Sequence, residues 1–172
     1  MKRLAIFPGS FDPLTLGHAS IIRRGLALFD QVLVAVTINL KKQPLFTVDE
    51  RLTMIRDTFP DEPRLLIDSL QGLLAPWAGA RGACAILRGL RAPSDFEYEL
   101  QMAQMNRHLN PGLDTVFLAA DAAGSFVSSS LVKEVASLGG DVRGLVPDHV
   151  LLALQHKLDA VKRTASTPTP LG

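Results

Sequence analysis

The sequence predicts an α/β fold of the Rossmann-like type, in which a doubly wound, five-stranded parallel sheet carries helices on both faces. Short apolar runs alternate along the 172-residue chain with longer segments that have helical periodicity. The run over residues 32–38 is apolar almost throughout, as expected of a parallel strand covered on both faces. Strands that alternate with helices are parallel and are joined by right-handed crossovers.

The strand and helix segments follow each other in a regular order. The five predicted strands cover residues 3–7, 31–38, 64–68, 83–87 and 114–119. Between the first two strands, Ile22, Leu26 and Phe29 make one apolar stripe, which predicts a helix over residues 17–29. We expect a single domain over residues 1–163 and a disordered tail over residues 164–172.

The later helices are predicted from their capping residues. A Ser or Thr followed three residues later by Glu is typical of a capping box, and the chain has two such pairs. Glycines after Leu138 mark a helix end. The predicted helices run from Thr47 through Phe59, from Ser94 to about Leu109, from Ser128 through Leu138 and from about Pro147 to Lys162.

The composition limits the classes of function. The chain has 18 Lys and Arg against 17 Asp and Glu, a net charge of +1 that gives no reason to expect nucleic acid or a membrane surface as a partner. No apolar run has the length of a membrane span, and the chain begins with a strand pattern instead of a signal peptide. A single cysteine, Cys84, excludes an internal disulfide and is expected to be a small buried strand residue. These features favour a reduced, cytoplasmic compartment.

The most informative segment is residues 8–18, PGSFDPLTLGH, which follows the first strand and leads into a helix. Unpaired backbone amides at a helix start attract anions. His18 adds a hydrogen-bond donor that can carry charge near neutral pH. The segment therefore predicts a phosphate site with its own catalytic group, whereas Gly9, Asp12 and Pro13 are interpreted as ordinary turn residues.

Polar loops follow four of the predicted strands, so they are expected to meet at one edge of the sheet. Arg88 and Arg91 would clamp phosphate, since a guanidinium presents a planar fork of donors. The alternative for these arginines is ion pairing with Asp95, Glu97 or Glu99, and the two interpretations are compatible. Lys42 is a candidate anion contact because of its place after the second strand, whereas Lys41 is interpreted as solvated. One serine suffices to cap a helix, so Ser128, Ser129 and Ser130 suggest a further ligand contact.

The long helix after Ser94 carries two apolar stripes. One consists of Phe96, Leu100 and Ala103, and the other of Tyr98, Met102, Met105 and Leu109. Two stripes predict either deep burial or a subunit interface. The sequence has no zinc-ligand spacing, no Walker loop and no G-x-G-x-x-G. No protein metal site is therefore expected, and Mg²⁺ would be brought with a nucleotide.

Together these motifs resemble the bacterial phosphopantetheine adenylyltransferase family, within the nucleotidyltransferases marked by T/H-x-G-H. The resemblance covers roughly residues 1 to 160. It rests on GSFDPLTLGH, on Lys42 before PLFTVDER, on RGLR with DFEYE, on MNRHL and on SFVSSSLVKEV. It implies transfer of the adenylyl group of ATP to 4′-phosphopantetheine, giving dephospho-CoA and pyrophosphate in the penultimate step of coenzyme A synthesis. It also implies a homohexamer, with CoA as a candidate further ligand.

The resemblance assigns roles to individual residues. Lys42, Arg88, Leu73, Leu74 and Ser10 would bind phosphopantetheine. His18, Lys42 and Arg91 would be catalytic. ATP would be bound by Ser10, Phe11, His18, Gly89, Leu90, Arg91, Glu99, Gly124, Ser125, Phe126, Val127, Ser128, Ser129 and Ser130.

Two positions depart from the family pattern. Position 10 is Ser where the family often has Thr, which keeps the hydroxyl. Gly124 stands where many members have a large aromatic residue beside the nucleotide, so only backbone could bind there.

Three other functions are weighed against this one. Nucleotidyltransferases that act on nicotinate mononucleotide or glycerol phosphate usually carry H-x-G-H, but the first motif position is Thr15 here. A dinucleotide-dependent oxidoreductase would need a glycine pattern in the first loop and an acid after the second strand, where Asn39 and Leu40 stand. A non-catalytic nucleotide sensor is disfavoured by the joint presence of His18, Lys42, Arg88 and Arg91.

Overall fold

Five strands form one parallel sheet in the computed structural model of the chain, which describes residues 2–38, 43–121 and 127–165. The strands are β1 (Leu4–Gly9), β2 (Gln31–Thr37), β3 (Leu65–Leu70), β4 (Ala85–Leu90) and β5 (Asp114–Ala119). Their order across the sheet is β3-β2-β1-β4-β5. β2 and β3 are therefore added in sequence on one side of β1, and β4 and β5 are added on its other side. The predicted doubly wound five-stranded sheet is confirmed.

Three strands end later than the sequence predicts, and one of them is β1, which continues to Gly9. β3 continues to Leu70, and β4 continues to Leu90 because its pairing with β5 extends through Leu90 opposite Ala119. Arg88 consequently lies within β4 and not in the loop after it. The prediction for Cys84 is wrong, because this residue precedes β4 and is exposed. Its thiol lies 3.4 Å from the Leu4 carbonyl oxygen, at the amino-terminal end of the sheet.

Six helices connect and cover the strands of the described chain. They are α1 (Leu16–Leu28), α2 (Val48–Thr58), α3 (Leu74–Gly79), α4 (Pro93–Leu109), α5 (Ser129–Ser137) and α6 (Asp148–Ala165). The short helix α3 is not predicted, because six residues are too few to display a helical period. Two residues of the predicted tail belong to α6, and residues 166–172 lie outside the described residues. No helix in the described part of the chain is long and apolar enough to cross a membrane.

The predicted capping boxes have different outcomes. Thr47 caps α2 and Glu50 closes the box by accepting from the Thr47 amide, as predicted. α4 instead begins at Pro93, with Ala92 at the N-cap and no side-chain cap. Proline is favoured at the first helical position because its fixed φ fits and its missing N–H is not needed there. The second predicted box is therefore wrong.

The core consists of two apolar layers, one on each face of the sheet. Side chains alternate between faces along each strand, so Phe7 and Val34 pack under α1, α2, α5 and α6, whereas Ile6 and Leu33 pack under α3. α4 contributes only one buried residue, Asn106, although it has seventeen residues. Of the apolar side chains predicted on its two stripes, Tyr98 and Met105 are 64% and 54% exposed. Deep burial within one subunit is thus excluded for this helix.

Candidate active site

A cavity of about 640 Å³ lies at the carboxyl ends of β1 and β4. This is the point where the winding of the sheet reverses, since chain connections leave β1 and β4 in opposite directions. Its lining residues are Phe7, Pro8, Gly9, Ser10, Thr15, Gly17, His18, Ile21, Arg88, Gly89, Arg91, Ser94, Asp95, Tyr98, Glu99, Ala120, Val127, Ser128, Ser129 and Ser130. The loops after β1, β4 and β5 therefore meet at one edge of the sheet, as the sequence predicts.

His18 stands in the first turn of α1 and forms an unusual capping box with Thr15. The Thr15 hydroxyl oxygen accepts from the His18 amide at 3.3 Å, and His18 Nδ1 accepts from the Thr15 amide at 3.0 Å. Because Nδ1 is used as an acceptor, the proton of a neutral His18 ring is on Nε2. The imidazole thus keeps one N–H donor for a ligand in the cavity.

The ring of His18 is held in place by aromatic neighbours. Its centroid is 5.0 Å from that of Phe11, in an edge-to-face arrangement, and 6.2 Å from that of Phe7. Burial, followed by the positive charges of Arg91 and Arg88, lowers the pKa of His18 to about 4. The low pKa favours a neutral His18 ring at neutral pH in the ligand-free site. The sequence alone leaves the protonation state of this ring open.

The low pKa of His18 predicts a loss of stability in acid. The pKa in the unfolded chain is 6.5, so between pH 6.5 and about 4 the unfolded chain binds a proton that the folded chain does not bind. The stabilising contribution is complete above pH 6.5 and is lost as the pH falls toward 4. We expect the free energy of unfolding, measured by urea titration, to fall more steeply over this range in the wild type than in His18→Gln. Parallel slopes in the two proteins would contradict the shifted pKa.

Arg88 projects from β4 and is fixed by two groups. Its Nε and Nη2 donate to both carboxylate oxygens of Glu99 on α4, at 2.6 and 2.5 Å. Its Nη1 donates to the Pro8 carbonyl at 3.0 Å. These contacts use three of the five N–H groups of the guanidinium, and the other two remain to meet phosphate oxygens.

Arg91 is oriented by a different carboxylate. Its Nε lies 3.3 Å from Asp95, which also accepts from the Arg91 amide at 3.4 Å. The ion-pair interpretation is therefore confirmed for both arginines, with Glu99 as the partner of Arg88 and Asp95 as the partner of Arg91, and the phosphate clamp stays a prediction. Both arginines line the cavity, so the carboxylates position donors there.

The three serines at the start of α5 have different positions and partners. Ser128 is the N-cap and accepts from the Leu131 amide at 3.1 Å. Ser129 donates its hydroxyl to the Pro13 carbonyl at 2.8 Å, which ties this helix to the loop after β1. Ser130 is exposed at the cavity. Capping accounts for one serine, and the other two anchor a loop or face the cavity.

Some predicted site residues do not line the cavity. Phe11 is fully buried and supports the ring of His18, with a left-handed backbone φ of 47°. Leu90 is at the end of β4 outside the lining, and Leu73 and Leu74 lie at the start of α3, where Leu73 is 66% exposed. Four further predicted residues lie outside the described residues: Lys42, Gly124, Ser125 and Phe126.

The sequence reasoning missed two supporting roles. In the sequence, Thr15 distinguishes this motif from H-x-G-H. In the structure, it also determines which nitrogen of His18 donates. Its position three residues before His18 matches the spacing of a capping box, which is a readable signal. Arg51 lies within the PLFTVDER motif with no role predicted from the sequence, yet it is buried and bonds to Ser10 of the cavity lining. A buried arginine cannot be recognised from sequence spacing alone.

Comparisons with known proteins identify the family. A family described as cytidylyltransferase-like matches residues 6–135. A phosphopantetheine adenylyltransferase of Anaeromyxobacter dehalogenans is 54% identical over 164 residues, covering 95% of this chain and 100% of the relative. One from Nitratidesulfovibrio vulgaris is 52% identical over 155 residues, covering 90% of this chain and 83% of the relative.

A solved structure shares the fold at lower identity. It is described as a putative nicotinate-nucleotide adenylyltransferase from Vibrio parahaemolyticus, and it matches with a TM-score of 0.67 at 20% identity. The match covers 92% of this chain and 95% of the other. This likeness supports the fold, whereas the close relatives carry the family assignment. Because relatives that are about half identical to it match nearly its whole length, this chain belongs to the phosphopantetheine adenylyltransferase family of nucleotidyltransferases.

Proposed function

We propose that this chain transfers the adenylyl group of ATP to 4′-phosphopantetheine, giving dephospho-CoA and pyrophosphate, the penultimate step of coenzyme A synthesis. One observation carries the proposal: a histidine donor and two carboxylate-oriented arginines converge on one cavity at the switch point of the sheet. Two guanidinium groups, each oriented by a carboxylate, line the place where two phosphorylated substrates would meet. The family assignment supports this chemistry and this acceptor.

The reaction is a single in-line displacement at phosphorus. A phosphate oxygen of phosphopantetheine forms a bond to the α-phosphorus of ATP, and the bond from that phosphorus to the bridging oxygen breaks, so that pyrophosphate leaves. No protein nucleophile is needed, and the exposed Cys84 lies at the opposite end of the sheet from the cavity. The protein has to align two polyanions and offset their repulsion.

His18 is the proposed transition-state donor. Its Nε2–H would donate to a non-bridging oxygen of the α-phosphate, where negative charge builds as the displacement proceeds. The ring reaches this role without reorganisation, because Thr15 and Phe11 already hold it. A neutral ring can donate, and two bound polyanions would raise its pKa from the ligand-free value.

Each substrate is proposed to be bound by a different set of cationic side chains. Arg88 and Lys42 would hold the phosphate of phosphopantetheine, in a direction that favours attack. Arg91 and the amino end of α5 would hold the β- and γ-phosphates, because unpaired amides at a helix start bind anions. Ser10, Gly89 and Glu99 line the same cavity and stay in the proposed binding set. Leu73 and Leu74 would meet the apolar part of the pantetheine arm.

Mg²⁺ is proposed to arrive with ATP. In the described ranges, no group of three or more His, Cys, Asp or Glu side chains is arranged to hold a metal ion. The carboxylates that line the cavity, Asp95 and Glu99, are already engaged by the two arginines. The nucleotide phosphates would therefore hold the ion, which would offset charge on the leaving pyrophosphate.

An acceptor-resolved assay tests the proposed function. Pyrophosphate release with ATP and Mg²⁺ is measured for 4′-phosphopantetheine, nicotinate mononucleotide and glycerol 3-phosphate in parallel. We expect turnover only with phosphopantetheine and formation of dephospho-CoA in equal amount. Turnover with another acceptor alone would replace the proposed substrate, and nucleotide binding without turnover would indicate a sensor.

The assembly is proposed to be a homohexamer. The exposed apolar side chains of α4, including Tyr98 and Met105, support burial against another subunit. Sedimentation velocity would give the mass in solution, and a monomer at micromolar concentration would contradict the proposal. Dephospho-CoA and CoA are proposed as further ligands of the same cavity. A cytoplasmic location is proposed because the reaction consumes ATP.

A further inference from the structure

Arg51 is a buried cation in α2 that bonds to backbone carbonyl groups. The residue is 3% exposed. Its Nη1 donates to the Ser10 carbonyl at 2.8 Å and lies 3.4 Å from the Thr37 carbonyl, and its Nε donates to the Thr47 carbonyl at 3.2 Å. The guanidinium therefore joins the loop after β1 to both flanks of the segment between β2 and α2. A planar fork of donors can bridge several carbonyls, which a lysine ammonium does less well.

Asp12 makes a complementary set of contacts from the loop after β1. Its side chain is 6% exposed and its two oxygens accept from the Leu45 and Phe46 amides, at 3.1 and 2.9 Å. The same carboxylate accepts from Lys133 Nζ of α5 at 2.5 Å. Asp12 thus joins the segment before α2 to the helix whose amino end lines the cavity. The structure corrects the interpretation of Asp12 as an ordinary turn residue.

Asp12, Arg51 and Lys133 are termed the loop clamp below. The clamp residues do not line the cavity, yet Arg51 bonds to Ser10, which does, and Lys133 belongs to the helix whose first residues do. The segment between β2 and α2 is tied at Thr37 on one side and at Leu45 on the other. A buried charge costs free energy unless it is well bonded, and the buried charges of Asp12 and Arg51 are offset by these contacts.

We propose that the loop clamp is a set of positioning residues that aligns the phosphopantetheine subsite with the nucleotide subsite. The inference rests on the proposed adenylyl transfer. Ser10 belongs to the proposed acceptor side, and the amino end of α5 belongs to the proposed nucleotide side. In-line displacement depends on the angle and distance between the attacking oxygen and the α-phosphorus. The clamp controls that geometry through the backbone, with no contact to either substrate.

Arg51→Lys tests the acceptor side of the clamp. A lysine keeps the charge but cannot reach three carbonyls, so Ser10 and Thr37 lose a shared anchor. We expect kcat to fall by at least about tenfold while the ATP Kd stays within about twofold, because misplacement by about 1 Å can cost that much and more. The matched control is Arg64→Lys, since Arg64 also donates to a backbone carbonyl, that of Leu26, but outside the cavity lining. Its kcat should equal that of the wild type.

A second pair of variants tests the clamp even if Arg51→Lys does not fold. Lys133 has a side chain that is 29% exposed, so its replacement is tolerable for folding. Lys133→Met should lower kcat by at least about threefold, and Lys133→Arg, which keeps the ion pair with Asp12, should restore most of the activity. Hydrogen exchange at the Leu45 and Phe46 amides should speed up in Lys133→Met and return to the wild-type rate in Lys133→Arg.

The outcomes separate this inference from the proposed function. A wild type that does not adenylate phosphopantetheine refutes the function itself. With an active wild type, faster exchange in Lys133→Met accompanied by unchanged kcat and KM would show that the clamp only stabilises the fold. Unchanged kcat and KM in a folded Arg51→Lys would overturn the inference in the same way. Each measurement is made below the thermal midpoint of the variant concerned.

Discussion

His18→Ala is expected to lower kcat by at least about 10²-fold, the usual loss when one transition-state donor is removed. The ring is held by Thr15 and Phe11, so its Nε2–H is in place before substrates bind. Because the α-phosphate gains charge mainly during the displacement, the donor should contribute little to ground-state binding. Titration calorimetry should therefore give Kd values for ATP and phosphopantetheine close to those of the wild type.

His18→Gln is the matched variant for this experiment. Glutamine keeps an N–H donor of similar reach but lacks the ring that packs on Phe11, so its kcat should fall between those of the wild type and His18→Ala. Thermal midpoints of both variants show whether the site remains folded at the assay temperature. Wild-type turnover in a folded His18→Ala would remove His18 from the mechanism.

Arg88→Met is expected to raise the KM for phosphopantetheine by at least about 10²-fold, since truncating one partner of a buried charge pair costs 2–5 kcal/mol or more. Two effects add. The acceptor phosphate loses its planar donors, and Glu99, whose side chain is 12% exposed, is left as an unpaired carboxylate that faces an anionic substrate. The KM for ATP should change much less, because Arg91 and the start of α5 are proposed to hold its terminal phosphates.

The double variant Arg88→Met/Glu99→Gln separates these two effects. Removing the charge of Glu99 should recover about tenfold or more of the lost acceptor affinity, as expected for strongly coupled neighbours. A double variant no better than Arg88→Met would mean that Glu99 has no role through Arg88. The coupling would then have to be sought between Glu99 and the nucleotide.

The fold could be predicted largely because its strands are buried on both faces. Continuous apolar runs such as Val32–Val36 leave few alternatives to a central parallel strand, and the order of strands and helices then fixes the class of sheet. Strand ends were less predictable. Arg88 lies in β4 because the ladder with β5 continues past the apolar run, and that pairing depends on a partner more than twenty residues away.

The site could be predicted as a set of polar loops but not as a set of contacts. His18, Arg88 and Arg91 meet at one cavity because strand ends of a parallel sheet converge, which requires no knowledge of side-chain geometry. The partners of each arginine could not be chosen in advance, since Asp95 and Glu99 are both within reach of the same loop. The α4 start was mispredicted because a proline at the first position outweighed the capping pattern.

The segment over residues 8–13, which runs from the end of β1 into the following loop, is held in part through its carbonyl groups. Pro8, Ser10 and Pro13 accept from Arg88, Arg51 and Ser129 respectively. Every amino acid has a carbonyl, so this part of the anchoring does not depend on side-chain identity, whereas the bonds of the Asp12 carboxylate do. Exchange of Ser for Thr at position 10 would therefore leave this backbone contact in place. Gly9, the last residue of β1, is limited by space, because an added Cβ would lie 3.0 Å from the Phe11 ring, whereas Asp12 is limited by the bonds of its carboxylate.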